Sequence, residues 1–196
     1  MKHLKLFEEV INEIGDAGAK PFKYKGPDRM EILGILDDAF LNREGVGFSD
    51  TIPFNWTFES DNTIYTVNVD CQVDMLVASD RKRQIYGTLG FYVSGKDDAE
   101  KERTTNFGEQ YRVLATVCNI FVEFLNTVVE DYKIYKFYII PKADAGEKVS
   151  ADNKRGRFYK NYIQKQVKRI KKVKLRFGEV NTVQNGTQIQ GFLIKE

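Results

Sequence analysis

The chain has 196 residues, which is enough to bury one sizeable core and less than two domains usually need, so we expect a single domain over residues 1–196. Hydrophobic residues make up 42% and aromatic residues 13% of the chain, a composition that excludes intrinsic disorder. No run approaches the roughly 20 apolar residues of a membrane span, and charges are spread through residues 1–15. The sequence therefore predicts neither a membrane partner nor a signal peptide, and a cytoplasmic location is expected.

Positive charge is concentrated near the C-terminus. Residues 154–176, called the basic segment below, contain eleven lysines and arginines and no acid, and the whole chain carries only +2, so the rest carries −9. Such a segment attracts phosphates or an acidic protein surface, although lysines on the outer side of an amphipathic helix can also serve solubility alone. The candidate residues for binding nucleic acid or an acidic protein partner are Lys154, Arg155, Arg157, Lys160, Lys165, Lys168, Arg169, Lys171 and Lys172.

Two helices are predicted at the start of the chain. Apolar residues recur at three- and four-residue spacing over residues 2–14, which predicts the first helix. Residues 15–27 are rich in Gly, Lys and Pro and predict a loop. A second helix is expected to begin near Asp28 and to end near residues 43–47. Its predicted apolar stripe consists of Met30, Leu33, Leu36 together with Ile35, and Phe40.

From Thr51 onward apolar and polar residues alternate, which predicts β-strands. Asp61-Asn62 offers a turn between the first two strands, which makes them an antiparallel hairpin. A third strand is expected over residues 84–94. The apolar face of the hairpin consists of Phe54, Trp56, Phe58, Tyr65, Val67, Val69, Cys71 and Val73.

Five further elements follow, before and after a polar loop at residues 144–152. Residues 107–129 form the most apolar helical stretch and predict a helix packed against the sheet. The short apolar run at residues 134–141 is typical of a strand buried on both faces. An amphipathic helix is predicted over residues 153–170. Two closing strands are expected at residues 172–177 and 188–194, separated by a loop that contains the turn signal Asn185-Gly186.

The predicted order is α-α-β-β-β-α-β-α-β-β, an α+β fold with a single mixed β-sheet flanked by helices. This order resembles the GNAT acyltransferase superfamily, in which one mixed sheet surrounds a splayed cofactor cleft. A local pattern adds to the resemblance: Asn153, then the pair Phe158-Tyr159, then a short charged segment that opens the last helix. The resemblance implies that strands 84–94 and 134–141 lie side by side and parallel, with helix 107–129 crossing between them.

The resemblance also implies catalytic candidates. In the superfamily the matching Asn and Tyr lie beside the thioester of acetyl-CoA, so Asn153 and Tyr159 would be catalytic if the chain is active, with Tyr159 as the general acid. The alternative is that Tyr159 is simply part of the apolar stripe of its helix, because aromatic residues at helical spacing usually belong to a core.

The sequence departs from the superfamily at the cofactor loop. Acyl-CoA enzymes hold the pyrophosphate on backbone N–H groups of spaced glycines at a helix N-terminus. Here residues 95–108 read GKDDAEKERTTNFG, so only Arg103 and Gly108 match as cofactor-binding candidates. Four acids in the same loop would repel a diphosphate. Ordinary acetyl-CoA binding is therefore not expected, and no cofactor is favoured.

Other site chemistry is sparse. His3 is the only histidine, so a histidine triad or multi-histidine metal site is unavailable, and no metal site is predicted. Cys71 and Cys118 lie in apolar patterns that favour buried thiols in the core. Adjacent acids such as Asp37-Asp38 and Asp97-Asp98 are expected to be solvated surface groups.

Three functions are open. The favoured one is a non-catalytic GNAT-like binding or structural protein, because the chain resembles small bacteriophage-encoded GNAT-like proteins, some of which travel in the virion or help to assemble it. That resemblance would place the protein in the host cytoplasm or the virion. The first alternative is an acyltransferase with an atypical cofactor loop. The second is a nucleic-acid-binding module in which the basic segment contacts phosphates while Phe158 or Tyr162 stacks on a base.

Overall fold

The protein is an α+β structure with one mixed sheet. The computed structural model describes residues 20–42, 49–60, 63–75, 83–93, 110–139, 164–165, 170, 174–184 and 187–195. The described helices are α1 (Arg29–Leu41) and α2 (Gln110–Val128). The described strands are β1 (Tyr24–Lys25), β2 (Ile52–Ser60), β3 (Thr63–Met75), β4 (Arg83–Val93), β5 (Tyr132–Ile139), β6 (Arg176–Gln184) and β7 (Thr187–Lys195).

The described strands form a seven-stranded sheet in the order β1-β2-β3-β4-β5-β7-β6. Strands β4 and β5 are parallel, and every other neighbouring pair is antiparallel. Helix α2 lies between β4 and β5 in the chain, as a parallel connection requires. The expectation of a parallel pair with the long helix between its strands is therefore confirmed.

Helix α1 begins where the sequence predicts. The Asp28 carboxylate accepts a hydrogen bond from the Glu31 N–H at 3.0 Å, and the Glu31 carboxylate accepts one from the Asp28 N–H at 2.9 Å. This reciprocal capping box satisfies two N–H groups that the helix itself cannot pair. Helix α1 ends at Leu41, slightly before the predicted end near residues 43–47.

Two residues of the predicted α1 stripe, Met30 and Ile35, are exposed. Ile32 and Leu36 are buried against the sheet, whereas the Met30 side chain is 76% exposed. Successive helix residues are about 100° apart, so Met30 and Ile32 point in nearly opposite directions and cannot both reach the core. The assignment of Met30 to the buried stripe is wrong for this reason.

The core lies between the sheet and the two described helices. The alternating residues of β2 and β3 point inward, so the predicted hairpin and its apolar face are confirmed. Phe124 of α2 packs among sheet aromatics, with ring centroids 5.6 Å from Phe54 and 6.1 Å from Trp56. Residues in α2 are buried on almost every side, because the chain before α1 covers its outer surface.

Polar contacts hold the segment before α1, which contains Phe22 and Tyr24, against helix α2. The Phe22 N–H donates to the fully buried Thr116 hydroxyl oxygen at 2.8 Å, and this hydroxyl donates to the Arg112 carbonyl oxygen at 2.7 Å. The Arg112 guanidinium lies 4.0 Å from the Phe22 ring centroid. The Tyr24 hydroxyl donates to the Glu123 carboxylate. The strand β1 within this segment corrects the prediction of a loop over residues 15–27, since Tyr24 and Lys25 pair with β2.

Strand β5 differs from its prediction in burial. It was expected to be covered on both faces, but its inward residues alternate with partly exposed ones, and Tyr135 is 47% exposed. The apolar run therefore does not mark a doubly covered strand. Tyr135 and Tyr138 lie on the outer face of the sheet, where a large aromatic ring can be half-buried while its hydroxyl reaches water.

The C-terminal hairpin is longer than predicted. Strand β6 begins at Arg176 and continues to Gln184, through residues read as a loop, while β7 agrees with the predicted strand at residues 188–194. Gln184 pairs with Thr187, so two residues, Asn185-Gly186, connect the strands as the turn signal predicts. The first predicted helix and the turn Asp61-Asn62 lie outside the described residues.

Candidate functional site

Most of the site residues predicted from sequence lie outside the described part of the chain. These are Asn153, Tyr159, Arg103 and Gly108, together with the basic residues Lys154, Arg155, Arg157, Lys160, Lys168, Arg169, Lys171 and Lys172. Lys165 is described: it lies in helical backbone and is exposed. Lys174 and Arg176 of the basic segment are also exposed.

In the GNAT superfamily, which the predicted element order resembles, the cofactor cleft lies where two parallel strands separate. The parallel strands of this protein are β4 and β5. The two strands are hydrogen-bonded neighbours from Arg83 opposite Tyr132 to Leu89 opposite Ile139, the last described residue of β5. The pairing contains one irregularity, since Ile85 pairs with Ile134 and the next residue pairs with Lys136. Tyr135 is passed over, as in a β-bulge.

The core side of this pair is filled by Phe137. A Cβ atom placed on Gly87 of β4 would lie 2.5 Å from Cε1 of Phe137 and 2.4 Å from the Asp70 carbonyl oxygen. The Phe137 ring in turn packs edge-on against Phe121 and Phe124, at centroid distances of 5.6 and 5.9 Å. Glycine is therefore required at position 87 by the close packing of the strands and the Phe137 ring.

The outer side of the same pair carries an aromatic–lysine cluster, defined as Tyr86, Tyr135, Lys136 and Tyr138. The Tyr86 and Tyr138 rings meet edge to face across the two strands, with centroids 6.0 Å apart. The Lys136 ammonium lies 4.9 Å from the Tyr135 centroid and 5.6 Å from the other two. Each distance is within the range of a cation–π interaction. The cluster fills the outer side of the strand pair.

A second cluster ties α1 to the start of the strand pair. Arg83 forms an ion pair with Asp37, and the Tyr132 hydroxyl donates to the same carboxylate at 2.8 Å. The Arg83 guanidinium also lies 4.1 Å from the Phe40 ring centroid. Burial and the Asp37 charge raise the pKa of Tyr132 to about 12, although Arg83 opposes the shift. The tyrosine is neutral at physiological pH, and its contacts are those of a structural anchor. Asp37 is a surface acid, as predicted, with 53% of its side chain exposed, but sequence spacing gives no sign of its distant partners Arg83 and Tyr132.

The two cysteines are part of the core, as predicted. Both are free and fully buried. Burial raises the pKa of the Cys71 thiol and that of the Cys118 thiol, so both stay protonated at neutral pH. A protonated, buried thiol is neither a nucleophile nor a metal ligand. Across the described residues there is no group of three or more His, Cys, Asp or Glu side chains that could hold a metal ion.

No protein-family model, curated protein or solved structure matches the chain. Within the described part of the chain, neither helix has the length and apolar character needed to cross a membrane. Function must therefore be argued from the strand pair, the surfaces and the charges of this chain itself.

Proposed function

We propose that this protein is a non-catalytic GNAT-like binding or structural protein. The strand order and the parallel β4–β5 pair with α2 between its strands support the relationship, because these features place one parallel pair inside an otherwise antiparallel sheet. A component that binds other molecules during virion assembly is one form that such a protein could take.

Strands β4 and β5 are paired from Arg83 opposite Tyr132 to Leu89 opposite Ile139, and this stretch is called the closed strand pair. It is the observation that carries the non-catalytic part of the proposal. An acyltransferase of this type needs an opening between these strands to admit the thioester. Here Phe137 and Gly87 fill the core side of the pair, while Tyr86 and Tyr138 meet on its outer side. Opening the pair would separate packed aromatic rings and break strand hydrogen bonds, which costs free energy before any cofactor contact is made.

Calorimetric titration with acetyl-CoA tests this proposal. We expect no binding with a dissociation constant below about 1 mM, because a long flexible ligand loses conformational freedom and the sequence lacks the backbone cradle that would offset the loss. Desulfo-CoA provides a control for binding through the nucleotide alone. Micromolar binding of acetyl-CoA would contradict the proposal. In that event Tyr159→Phe should lower turnover without lowering affinity, as expected for a general acid that acts in the transition state.

The exposure of the described basic residues favours a binding role for the basic segment. Lys165, Lys174 and Arg176 all lie at the surface. The quadruple variant of Lys165, Lys168, Lys171 and Lys172 to Gln should therefore lose partner binding while keeping its stability, because surface substitutions usually change stability by less than about 0.5 kcal/mol.

Single-stranded DNA and duplex DNA are the probes for the nucleic-acid alternative. If the basic segment contacts phosphates, affinity should fall steeply with salt, and each lost contact should lower the log–log slope by about 0.7 to 0.9. Unchanged binding by the quadruple variant would show that these four lysines only solubilise the protein. Absence of DNA binding at low salt leaves a protein as the partner of the basic segment.

A further inference from the structure

Helix α1 exposes an apolar and acidic surface, called the α1 outer face below. Three of the five large apolar side chains that are exposed in the described residues belong to this helix. Met30 is 76%, Leu41 71% and Ile35 44% exposed. Met30, Gly34 and Leu41 fall on one line along the helix, because they are four and seven residues apart. Ile35 lies about 100° around the helix from Gly34, so the exposed apolar groups spread over the solvent side of α1 and do not follow a single line. Apolar groups gathered on one side of a helix mark an interaction surface more often than singly scattered ones do.

The surface is also concave and negatively charged. An open depression of about 580 Å³ lies beside it, lined by Gly34, Ile35, Glu31 and Asp38 of α1 and by Gly26. A Cβ atom added at Gly34 would meet nothing within 4 Å, so the backbone of α1 is open to close approach at this point. The Asp38 carboxylate is exposed and has no partner among the described residues. A helix with basic and apolar side chains would fit this surface in both shape and charge.

We infer that the α1 outer face binds the basic segment of a second copy of this chain. The inference deepens the proposed function, because it rests on the basic segment having a partner and names that partner. Charge complementarity supports this occupant: the basic segment carries eleven positive charges and no acid, and the exposed Glu31 and Asp38 lie on the α1 outer face. A symmetric contact between two α1 outer faces is disfavoured, because Asp38 and Glu31 of each copy would face like charges.

This contact joins two different surfaces, so it is heterologous. In a pair, one copy keeps an unused α1 outer face and the other keeps an unused basic segment. Further copies can add at both, and the association continues into chains or closes into rings. The expected behaviour is self-association that grows with protein concentration and weakens with salt, because the charges involved are exposed to solvent.

Sedimentation velocity at two ionic strengths gives the first test. Raising the salt from about 0.01 M to about 1 M shortens the Debye length from about 30 Å to about 3 Å, so the weight-average mass should fall toward that of a monomer. The double variant Ile35→Lys/Asp38→Lys should raise the apparent dissociation constant tenfold or more, on the order expected for like charges placed across an interface. Glu59→Lys, on the exposed side of β2, is the matched control and should associate like the wild type.

A mixing experiment identifies the two surfaces as partners. One variant is Ile35→Lys/Asp38→Lys, which keeps the basic segment. The other replaces Lys165, Lys168, Lys171 and Lys172 with Gln and keeps the α1 outer face. Each variant alone should be monomeric at low salt, whereas the equimolar mixture should form a dimer and stop there, since one working surface remains on each molecule.

Several outcomes would overturn the inference. They are a wild-type protein that stays monomeric at low salt, association that is insensitive to salt, or a mixture of the two variants that remains monomeric. Circular dichroism of both variants shows whether they are folded, so that loss of association is not confused with unfolding. If self-association is absent but the four lysines are needed to bind DNA, the proposed binding role stands and the partner named here is wrong.

Discussion

Replacing Gly87 with alanine tests the closed strand pair directly. The new methyl group would lie 2.4 Å from the Asp70 carbonyl oxygen and 2.5 Å from Cε1 of Phe137. Carbon atoms in contact normally stay about 3.5–4.0 Å apart, so the strands or the ring must move. The carbonyl belongs to the adjacent strand β3, and Phe137 is held by the rings of Phe121 and Phe124, so neither neighbour can turn away freely.

Overpacking of this kind costs about 1–3 kcal/mol, which for a protein of this size corresponds to a fall in Tm of about 2–12 °C. Urea denaturation followed by circular dichroism gives the free energy of unfolding. Gly90→Ala is the matched control in the same strand, because a Cβ atom there meets nothing within 4 Å. Gly34→Ala in helix α1 should instead stabilise the protein by up to about 1 kcal/mol, owing to the higher helix propensity of alanine.

A double-mutant cycle with Phe137→Leu separates the two clashes. The leucine removes the ring atom nearest the new methyl group but leaves the Asp70 carbonyl in place, so the double variant should be more stable than the sum of the single effects. If Gly87→Ala unfolds at the same urea concentration as the wild type, the strand pair is open at this point. The main argument against an acyl-CoA cleft would then be lost.

Three further predictions concern other buried groups. Thr116→Val should cost about 1–3 kcal/mol in urea denaturation, because the Phe22 N–H loses its acceptor, and Thr116→Ser should recover most of the loss. Cys71 and Cys118 should resist an aromatic disulfide reagent at neutral pH until the protein unfolds; rapid labelling of the native state would contradict their burial. The pKa of Tyr132 is raised from 10.0 to about 12 in the folded state. The stability that the neutral tyrosine contributes is therefore present below pH 10 and is lost as the pH rises toward 12. In alkaline unfolding experiments, Tyr132→Phe should flatten this decline in stability.

The β2–β3 hairpin could be predicted from sequence because its signals are local. Apolar residues alternate along both strands, and a turn dipeptide sits between them at Asp61-Asn62. The observed register agrees with this pattern, since Phe54 pairs with Val69 and Phe58 with Tyr65, all facing the core. The period of two fixes the buried face, and a slip of one residue would turn every apolar side chain outward.

The edge strands could not be predicted, because what holds them is distant in sequence. Strand β1 has two residues, too few for any periodicity, and it pairs with residues more than thirty positions away. Residues 178–184 of β6 are rich in Gly, Asn, Thr and Gln and resemble a loop, yet they pair with β7 along their whole length. Pairing with a neighbouring strand holds these residues in an extended conformation that their side-chain pattern does not indicate.

Strand β5 shows how a bulge hides a surface from sequence analysis. Tyr132 and Ile134 point inward, and Phe137 and Ile139 also point inward, although the two pairs are separated by an odd number of positions. The shift at Tyr135 makes this possible, because one extra residue in β5 relative to β4 restores the inward phase of the residues that follow. Without knowledge of the bulge, the sequence reads as an uninterrupted apolar run. The same shift places Tyr135 and Lys136 together on the outer side, so the aromatic–lysine cluster depends on an irregularity that only strand pairing reveals.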